Sequence, residues 1–299
     1  MDNQAEVREF LSTRRAKISP EQAGVPLYGT RRRVPGLRRE EVAQLAGLST
    51  DYYTRLEKGN LRSASAGVLE AISRALQLDE AERAHLLDLA RTARDGARPV
   101  RRRVPAKQVR ASLQHLLDAM TGAAATIANG RLDVLAGNAL ARSLWADLFD
   151  TRLQPPNLAR YCFLDPRSQD FYDSWPAIAD VTVAILRTEA GRDPHDRALT
   201  DLVGELATRS EQFRARWARH DVRLHQQGTK LFHHAVVGDI TLNYNTVPLP
   251  ADAGLSLTAY TAEPATPAAD KLAVLASWAA TELAGSQDAA TAGRSDRET

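Results

Sequence analysis

Residues 38–59 read RREEVAQLAGLSTDYYTRLEKG, a spacing that gathers hydrogen-bonding side chains on one side of a short helix. Once Tyr53 and Leu56 turn inward, Thr50, Asp51, Tyr52, Thr54 and Arg55 remain on the outward face. Such a face can bond to base edges in the major groove of DNA. Arg55 is the strongest donor among them, because a guanidinium bonds to guanine O6 and N7 together, for about 1–3 kcal/mol of discrimination. Ser49 and Thr50 bring hydroxyls to the first turn. Asp51 brings a carboxylate that either accepts from cytosine N4 or simply stabilises the positive helix end. Arg38 and Arg39 open the preceding helix, where basic side chains and free backbone N–H groups suit phosphate clamping. Lys58, Asn60 and Arg62 suit the other flank. Upstream, Arg31, Arg32 and Arg33 precede a Pro-Gly break. They read as a basic arm for a minor groove or a phosphate run, the alternative being a solvated loop.

The elements that must hold these side chains follow from apolar spacing. In a helix-turn-helix reading, Val42 and Leu45 face inward, Ala46 is small at the helix crossing, Gly47 permits the turn, and Ser49 caps the second helix. Leu69, Ile72 and Leu76 form a further helical stripe with Ser65 as its N-cap. Leu86, Leu89, Ala90 and Ala93 form another, opened by the capping box of Asp79 and Glu82. Residues 1–95 are therefore expected to be an all-α domain. GARPVRRRVPAKQ, residues 96–108, combines prolines, a glycine and an arginine run, and reads as a basic linker.

The net charge of +2 hides a division at that linker. Residues 1–108 hold 21 Lys+Arg against 14 Asp+Glu, a balance of +7, and the remainder holds 18 against 23, a balance of −5. A basic half joined to an acidic one suggests a module for a polyanion and a second module for something else. Cys162 is the only cysteine, which excludes an intrachain disulfide and a multi-cysteine zinc site; between Tyr161 and Phe163 it reads as a small buried hydrophobe. No apolar run approaches the roughly 18 residues of a membrane helix, and the start MDNQAEVREF lacks a signal peptide's regions. A cytoplasmic protein without membrane association is expected.

Beyond the linker, VRASLQHLLDAMTG reads as a helix. Two short apolar runs flank Asn129-Gly130, the pattern of a type I′ hairpin. A second hairpin turns at Gly238-Asp239, where Ile240, Leu242 and Tyr244 alternate with Thr241, Asn243 and Asn245. Leu255, Leu257 and Ala259 mark one face of a fifth strand. Residues 137–220 between the hairpins carry helical stripes, including Val181, Ile185 and Leu186, then Leu199, Leu202, Val203 and Leu206. Two strands, a helical insert and three strands make an α+β domain with an antiparallel sheet over 109–285. The small, polar stretch 286–299 reads as a disordered tail.

Within this second domain Tyr161, Phe163, Tyr172, Trp175, Trp217, His220, Asp221, His233 and Tyr244 are the aromatic and polar candidates for a ligand pocket, although such spacing also builds cores. His220-Asp221 either holds a ligand's polar end or packs domains as an ion pair. His233 and His234 are adjacent, so on a strand they face opposite sides and do not ligate one metal together. With no phosphate loop, nucleophile-elbow serine or HExxH, neither catalytic residues, nor a metal, nor a cofactor is expected.

RRRVPGLRREEVAQLAGLSTDYYTRLEKG closely resembles the Xre-type, phage-repressor-like helix-turn-helix of bacterial regulators whose C-terminal half is an MmyB-like (MltR-like) ligand-binding domain. NLARYCFLDP (157–166), FYDSW (171–175), GRDP (191–194), FRARWARHDVR (213–223) and LTAYTAEP carry the resemblance through the second half. It implies a PAS-like C-terminal domain holding a small apolar or amphipathic ligand, with a fatty acid as the suggestion. The expected protein is a transcription regulator that binds double-stranded DNA as a homodimer. A C-terminal domain that only dimerises or docks a protein is the alternative, and an enzyme a remoter one.

Overall fold

The computed structural model describes residues 2–25, 34–95, 109–219 and 226–295. The first half holds α1 (Asn3–Lys17), α2 (Arg39–Leu45), α3 (Thr50–Glu57), α4 (Ala66–Ala75) and α5 (Glu80–Asp95). There follow α6 (Ala111–Ala119), β1 (Ala124–Asn129), β2 (Val134–Gly137), α7 (Ala139–Leu144), α8 (Ala146–Phe149), α9 (Leu158–Leu164) and α10 (Arg167–Phe171). The chain continues through α11 (Trp175–Arg192), α12 (Arg197–Arg209), α13 (Glu211–Trp217), β3 (Gln227–His234), β4 (Gly238–Pro248), β5 (Leu255–Thr261) and α14 (Pro267–Ser295).

Contacts sort the chain into two units, Met1–Arg101 with Val183–Leu224, and Arg102–Thr182 with His225–Thr299. This boundary falls elsewhere than the contiguous 109–285 reading, because the later part of the helical insert packs with the N-terminal helices. The basic linker 96–108 lies outside the described residues.

The first unit is all-α. Val7, Phe10 and Leu11 of α1 share a core with Val42, Ala43, Tyr53, Leu56, Leu69, Ile72, Leu76, Leu86, Leu89 and Ala90. Local sequence fixes the helix starts. Ser65 Oγ accepts from Val68 N at 3.3 Å, and Asp79 and Glu82 exchange reciprocal bonds of 2.8 and 3.1 Å, so both expected caps form. One expectation fails: Leu45 is 41% exposed, whereas Ala43 is buried. At about 100° per residue, Val42, Ala46 and Ala43 span one arc, and Leu45 falls off its edge.

The second unit is α+β. Its five-stranded antiparallel sheet has the order β2-β1-β5-β4-β3, so that β1, before the insert, pairs with β5, the last strand after it. Ile240, Leu242 and Tyr244 are buried while Thr241, Asn243 and Asn245 are exposed, as alternation requires. One sheet face carries Phe232, Ile240, Leu242, Tyr244 and Tyr260. On the other, Leu113 and Leu117 of α6 cover Ala125, Ile127, Leu255 and Leu257. The first hairpin is not the type I′ turn that Asn129-Gly130 suggests. Leu132 takes the positive φ of 65°, and Asn129 Oδ1 accepts from the backbone of Arg131 and Asp133, at 3.0 and 3.1 Å, so the side chain organises a longer loop. Helix α14 reaches Ser295, through most of the stretch whose composition suggests disorder; alanines at 289, 290 and 292 favour helix.

Candidate functional site

Helices α2 and α3 meet through a four-residue turn, Ala46 to Ser49. Gly47 takes φ +66° there, a left-handed conformation that costs any residue with a Cβ. Ser49 Oγ accepts from Tyr52 N at 3.2 Å and so caps α3; its oxygen serves the helix first. Thr50, Asp51 and Arg55 are exposed, and Tyr52 and Thr54 half-buried, on α3 beside the fully buried Tyr53 and Leu56; Lys58, Asn60 and Arg62 just beyond the helix are exposed too. The Arg55 guanidinium lies 5.6 Å from the centroid of the Tyr52 ring, a cation–π contact that extends the arginine along the helix surface.

Sequence reading assigns Arg38 and Arg39 to phosphate; their present partners are acidic. Arg38 N donates to Glu41 Oε2 at 2.6 Å, and Arg38 Nη1 lies 3.3 Å from Glu40 Oε1. Arg39 Nε donates to Glu57 Oε2, while Arg15 Nε donates to Glu57 Oε1 at 2.9 Å and Arg15 Nη1 to the Leu37 carbonyl at 2.9 Å. Glu57, only 1% exposed, is thus held between two arginines. It ties α3 to both α1 and α2. Nothing in the pattern 38–59 flags this buried carboxylate, since its partner Arg15 lies far upstream. Burial, with Glu57 adding to it, pushes the Tyr53 phenol above its ordinary range, although Arg15 and Arg39 pull the other way. Arg31, Arg32 and Arg33 lie outside the described residues.

In the second unit the pocket candidates separate. Tyr161, Tyr172 and Tyr244 share an apolar cluster with Trp145, Phe171, Phe232 and Tyr260, four aromatics that sequence reading missed, and Trp175 packs at its edge. Phe232 is the hub, its ring centroid 5.8 Å from Trp145, 5.2 Å from Phe171, 5.7 Å from Tyr172 and 5.9 Å from Tyr260. These are edge-to-face and tilted packings. Strand β3 brings Phe232 there, and only pairing across the sheet could reveal it. Phe163 is half-buried against Trp175, at 5.9 Å.

Polar atoms also reach this cluster. Trp145 Nε1 donates to Tyr172 Oη at 3.3 Å, and Lys230 Nζ donates to Tyr260 Oη at 3.1 Å while lying 4.7 Å from the Tyr244 ring centroid. Desolvation holds the Tyr172 phenol well above its usual pKa and, with Asp147 and Asp165 nearby, raises that of Tyr161 too.

Two expectations need correction. His233 is exposed on the face away from Phe232, with Nδ1 2.7 Å from Asp239 Oδ1 and Nε2 3.5 Å from Asp173 Oδ1, because strand alternation sends it outward. The buried histidine is His234, which accepts from Val236 N at Nδ1 and donates from Nε2 to the Ser143 carbonyl at 3.0 Å. Trp217 belongs to the other unit, stacked on Phe213 at 5.5 Å. His220 and Asp221 lie outside the described residues. Cys162 is buried, and its carbonyl accepts from Ser168 Oγ and Trp175 Nε1. Among the described residues no three His, Cys, Asp or Glu side chains are grouped to hold a metal ion, and no helix is long and apolar enough to cross a membrane.

Comparison with protein families places a helix-turn-helix domain model on residues 12–86 and the MmyB-like transcription regulator ligand binding domain on residues 109–275. No curated protein matches the chain. The two matches are the parts of a DNA-binding transcription regulator, and they coincide with the helical half that exposes Arg55 and the half that holds the sheet. Since the second match covers more than half of the 299 residues, the chain belongs to the MmyB-like transcription regulators.

Proposed function

We propose that this regulator inserts α3 into the major groove and reads bases with Thr50, Asp51, Tyr52, Thr54 and Arg55. The observation that carries the reading is the division of α3 into a fully buried edge, Tyr53 and Leu56, and an exposed edge headed by Arg55. Lys58, Asn60 and Arg62 flank the base readers on phosphates, with the guanidinium groups of Arg38 and Arg39 on the other side. A single short helix reads few bases, so two copies bind an inverted repeat as a homodimer, with half-sites about one turn, roughly 10 base pairs, apart.

The aromatic cluster around Phe232 is the site for a small apolar or amphipathic ligand. Its chemistry supports this: many rings, with the hydroxyls of Tyr172 and Tyr260 and the Lys230 ammonium placed among them to orient a polar end. Occupation of that site controls DNA binding.

The test begins with genomic fragments selected by the full-length protein. Footprints of the wild type should show two half-sites, and Arg55→Ala should lose preference at one position of each. Unchanged footprints with Arg55→Ala would remove α3 as the reader. Palmitate added to the full chain should raise its melting temperature and shift its affinity for the selected fragment. Equal affinity with and without palmitate, together with no thermal shift across a series of apolar ligands, would favour a C-terminal domain that only dimerises or docks a protein.

A further inference from the structure

Helix α1 precedes the helix-turn-helix, yet it is tied both to that motif and to a segment some 180 residues later. Arg15 connects it to Glu57 of α3 and to the Leu37 carbonyl ahead of α2. Glu6, two turns earlier, accepts from Arg187 Nη1 at 2.5 Å. Arg187 lies on α11, is completely buried, donates also to the Trp217 carbonyl, and has its guanidinium carbon 4.1 Å from the Trp217 ring centroid. Arg14 of α1 pairs with Glu82 of α5 at 2.5 Å and reaches the Arg219 carbonyl at 3.5 Å.

Helix α5 makes the second half of this seam. Thr92 Oγ1 donates to the Gly191 carbonyl at 3.2 Å, and Arg192 Nε lies 3.3 Å from Asp88 Oδ2. A Cβ on Gly191 would stand 2.6 Å from His85 Cε1; His85 is itself fully buried, edge-on to Phe10 at 5.0 Å. The packing leaves no room for α11 to shift without loss. A buried guanidinium has been stripped of water; that loss lowers its pKa, and its partner Glu6 offsets part of it. Moving α11 by an ångström or so would leave Arg187 and Glu6 desolvated and apart, so the contact is held or broken and not gradually loosened.

We propose that Val183–Arg219 is the regulatory arm of the DNA-binding unit, and that Arg187, by gripping Glu6 of α1, couples the state of α11 to the helix that positions α3. Helix α11 is continuous from Trp175, packed at the edge of the aromatic cluster, to Arg192. A ligand that reshapes the cluster therefore acts on the helix that carries Arg187. Arg187 is a positioning residue; it touches neither DNA nor ligand. The inference rests on α3 as the reader and on ligand control through the aromatic cluster.

The experiment compares full-length wild type with Arg187→Met, Glu6→Gln and Trp175→Ala, by amide hydrogen exchange and by affinity for fragments the wild type selects. Arg187→Met should speed exchange in α1 and α3, leave β4 and β5 unchanged, and weaken DNA binding about tenfold, a common size for coupling between sites. Trp175→Ala should speed α1 exchange although its site is in the other unit. If Arg187→Met does not fold, Glu6→Gln, which keeps the shape and removes the charge, should give the same pattern at smaller size. Unchanged α1 exchange in Arg187→Met, or in Glu6→Gln if that variant has to stand in, overturns the grip. Unchanged α1 exchange in Trp175→Ala overturns the transmission. A wild type that selects no DNA would instead sink the reading of α3, while the exchange data still judge Arg187.

Discussion

Arg55 extends its guanidinium over the ring of the half-buried Tyr52, 5.6 Å from the centroid and three residues earlier on α3. The tyrosine holds the arginine in place before DNA arrives, which lowers the ordering cost of binding. Tyr52→Ala should therefore weaken binding to the selected fragment by about 0.5–1 kcal/mol, the size of an exposed cation–π contact. Arg55→Ala should cost about 1–3 kcal/mol and relax one base position. Titration against the native fragment and single-base variants decides it: unchanged affinity in Tyr52→Ala would show that the ring neither holds Arg55 nor meets a base.

Glu57 is the joint of the helix-turn-helix, and its loss should be felt as stability before recognition. Removing the carboxylate leaves Arg15 and Arg39 without their shared partner, but these arginines are 15% and 50% exposed, so solvent softens the penalty. Glu57→Gln should lower unfolding free energy by about 2 kcal/mol, short of the cost of breaking a fully buried pair. Urea denaturation of the full chain measures it, and a change within about 0.3 kcal/mol would show that the pairs are ornamental.

Salt and Arg39 offer a separate check on the clamp. With one N–H already on Glu57, Arg39 still has donors for phosphate, so Arg39→Ala should weaken every sequence alike and reduce the salt slope of binding by about one. A slope unchanged from wild type would assign Arg39 wholly to Glu57.

His233 should make the second unit's stability depend on pH. Its bond to Asp239, and then the charge of Asp239 and of Asp173, hold its pKa above the ordinary histidine value against slight desolvation. Because folding favours the protonated ring, the stabilisation is complete below the unfolded histidine pKa and disappears as pH rises through the higher folded value. Wild type should melt above His233→Gln at about pH 5.5, with the gap closing as pH rises through the raised folded pKa. A gap that widens with pH would show that the neutral ring, and not the ion pair, is what matters.

Phe232 is completely buried and contacts four aromatic rings. Phe232→Ala should cost about 3–5 kcal/mol, read by loss of the near-ultraviolet tryptophan signal at lower urea. Phe232→Leu should keep most stability while altering any ligand response. Identical ligand response in Phe232→Leu would place the ligand away from this hub.

Most of the helix-turn-helix was legible because its rules are local. Caps at Ser49, Ser65 and Asp79, a glycine at the turn and an apolar stripe act over three or four residues, and strand alternation at Ile240, Leu242 and Tyr244 acts over two. Leu45 was misread because a seven-residue helix has too few positions to define the centre of its buried arc. The hairpin at Asn129-Gly130 was placed correctly but turned by other means, since a side chain competing for backbone N–H groups changes the loop.

By itself the sequence determined where α3, α4 and α5 begin, that a basic half precedes an acidic one, and which edge of α3 faces outward. Only the tertiary structure decided which distant groups share a site: that Glu57 belongs to Arg15, Phe232 to Trp145 and Tyr260, and Arg187 to Glu6. The physical reason is range. Periodicity and capping act between near neighbours, whereas a buried charge finds its partner through packing that no local pattern encodes. So the outward arginine of α3 could be named from the chain alone, while the buried arginine that holds its scaffold could not.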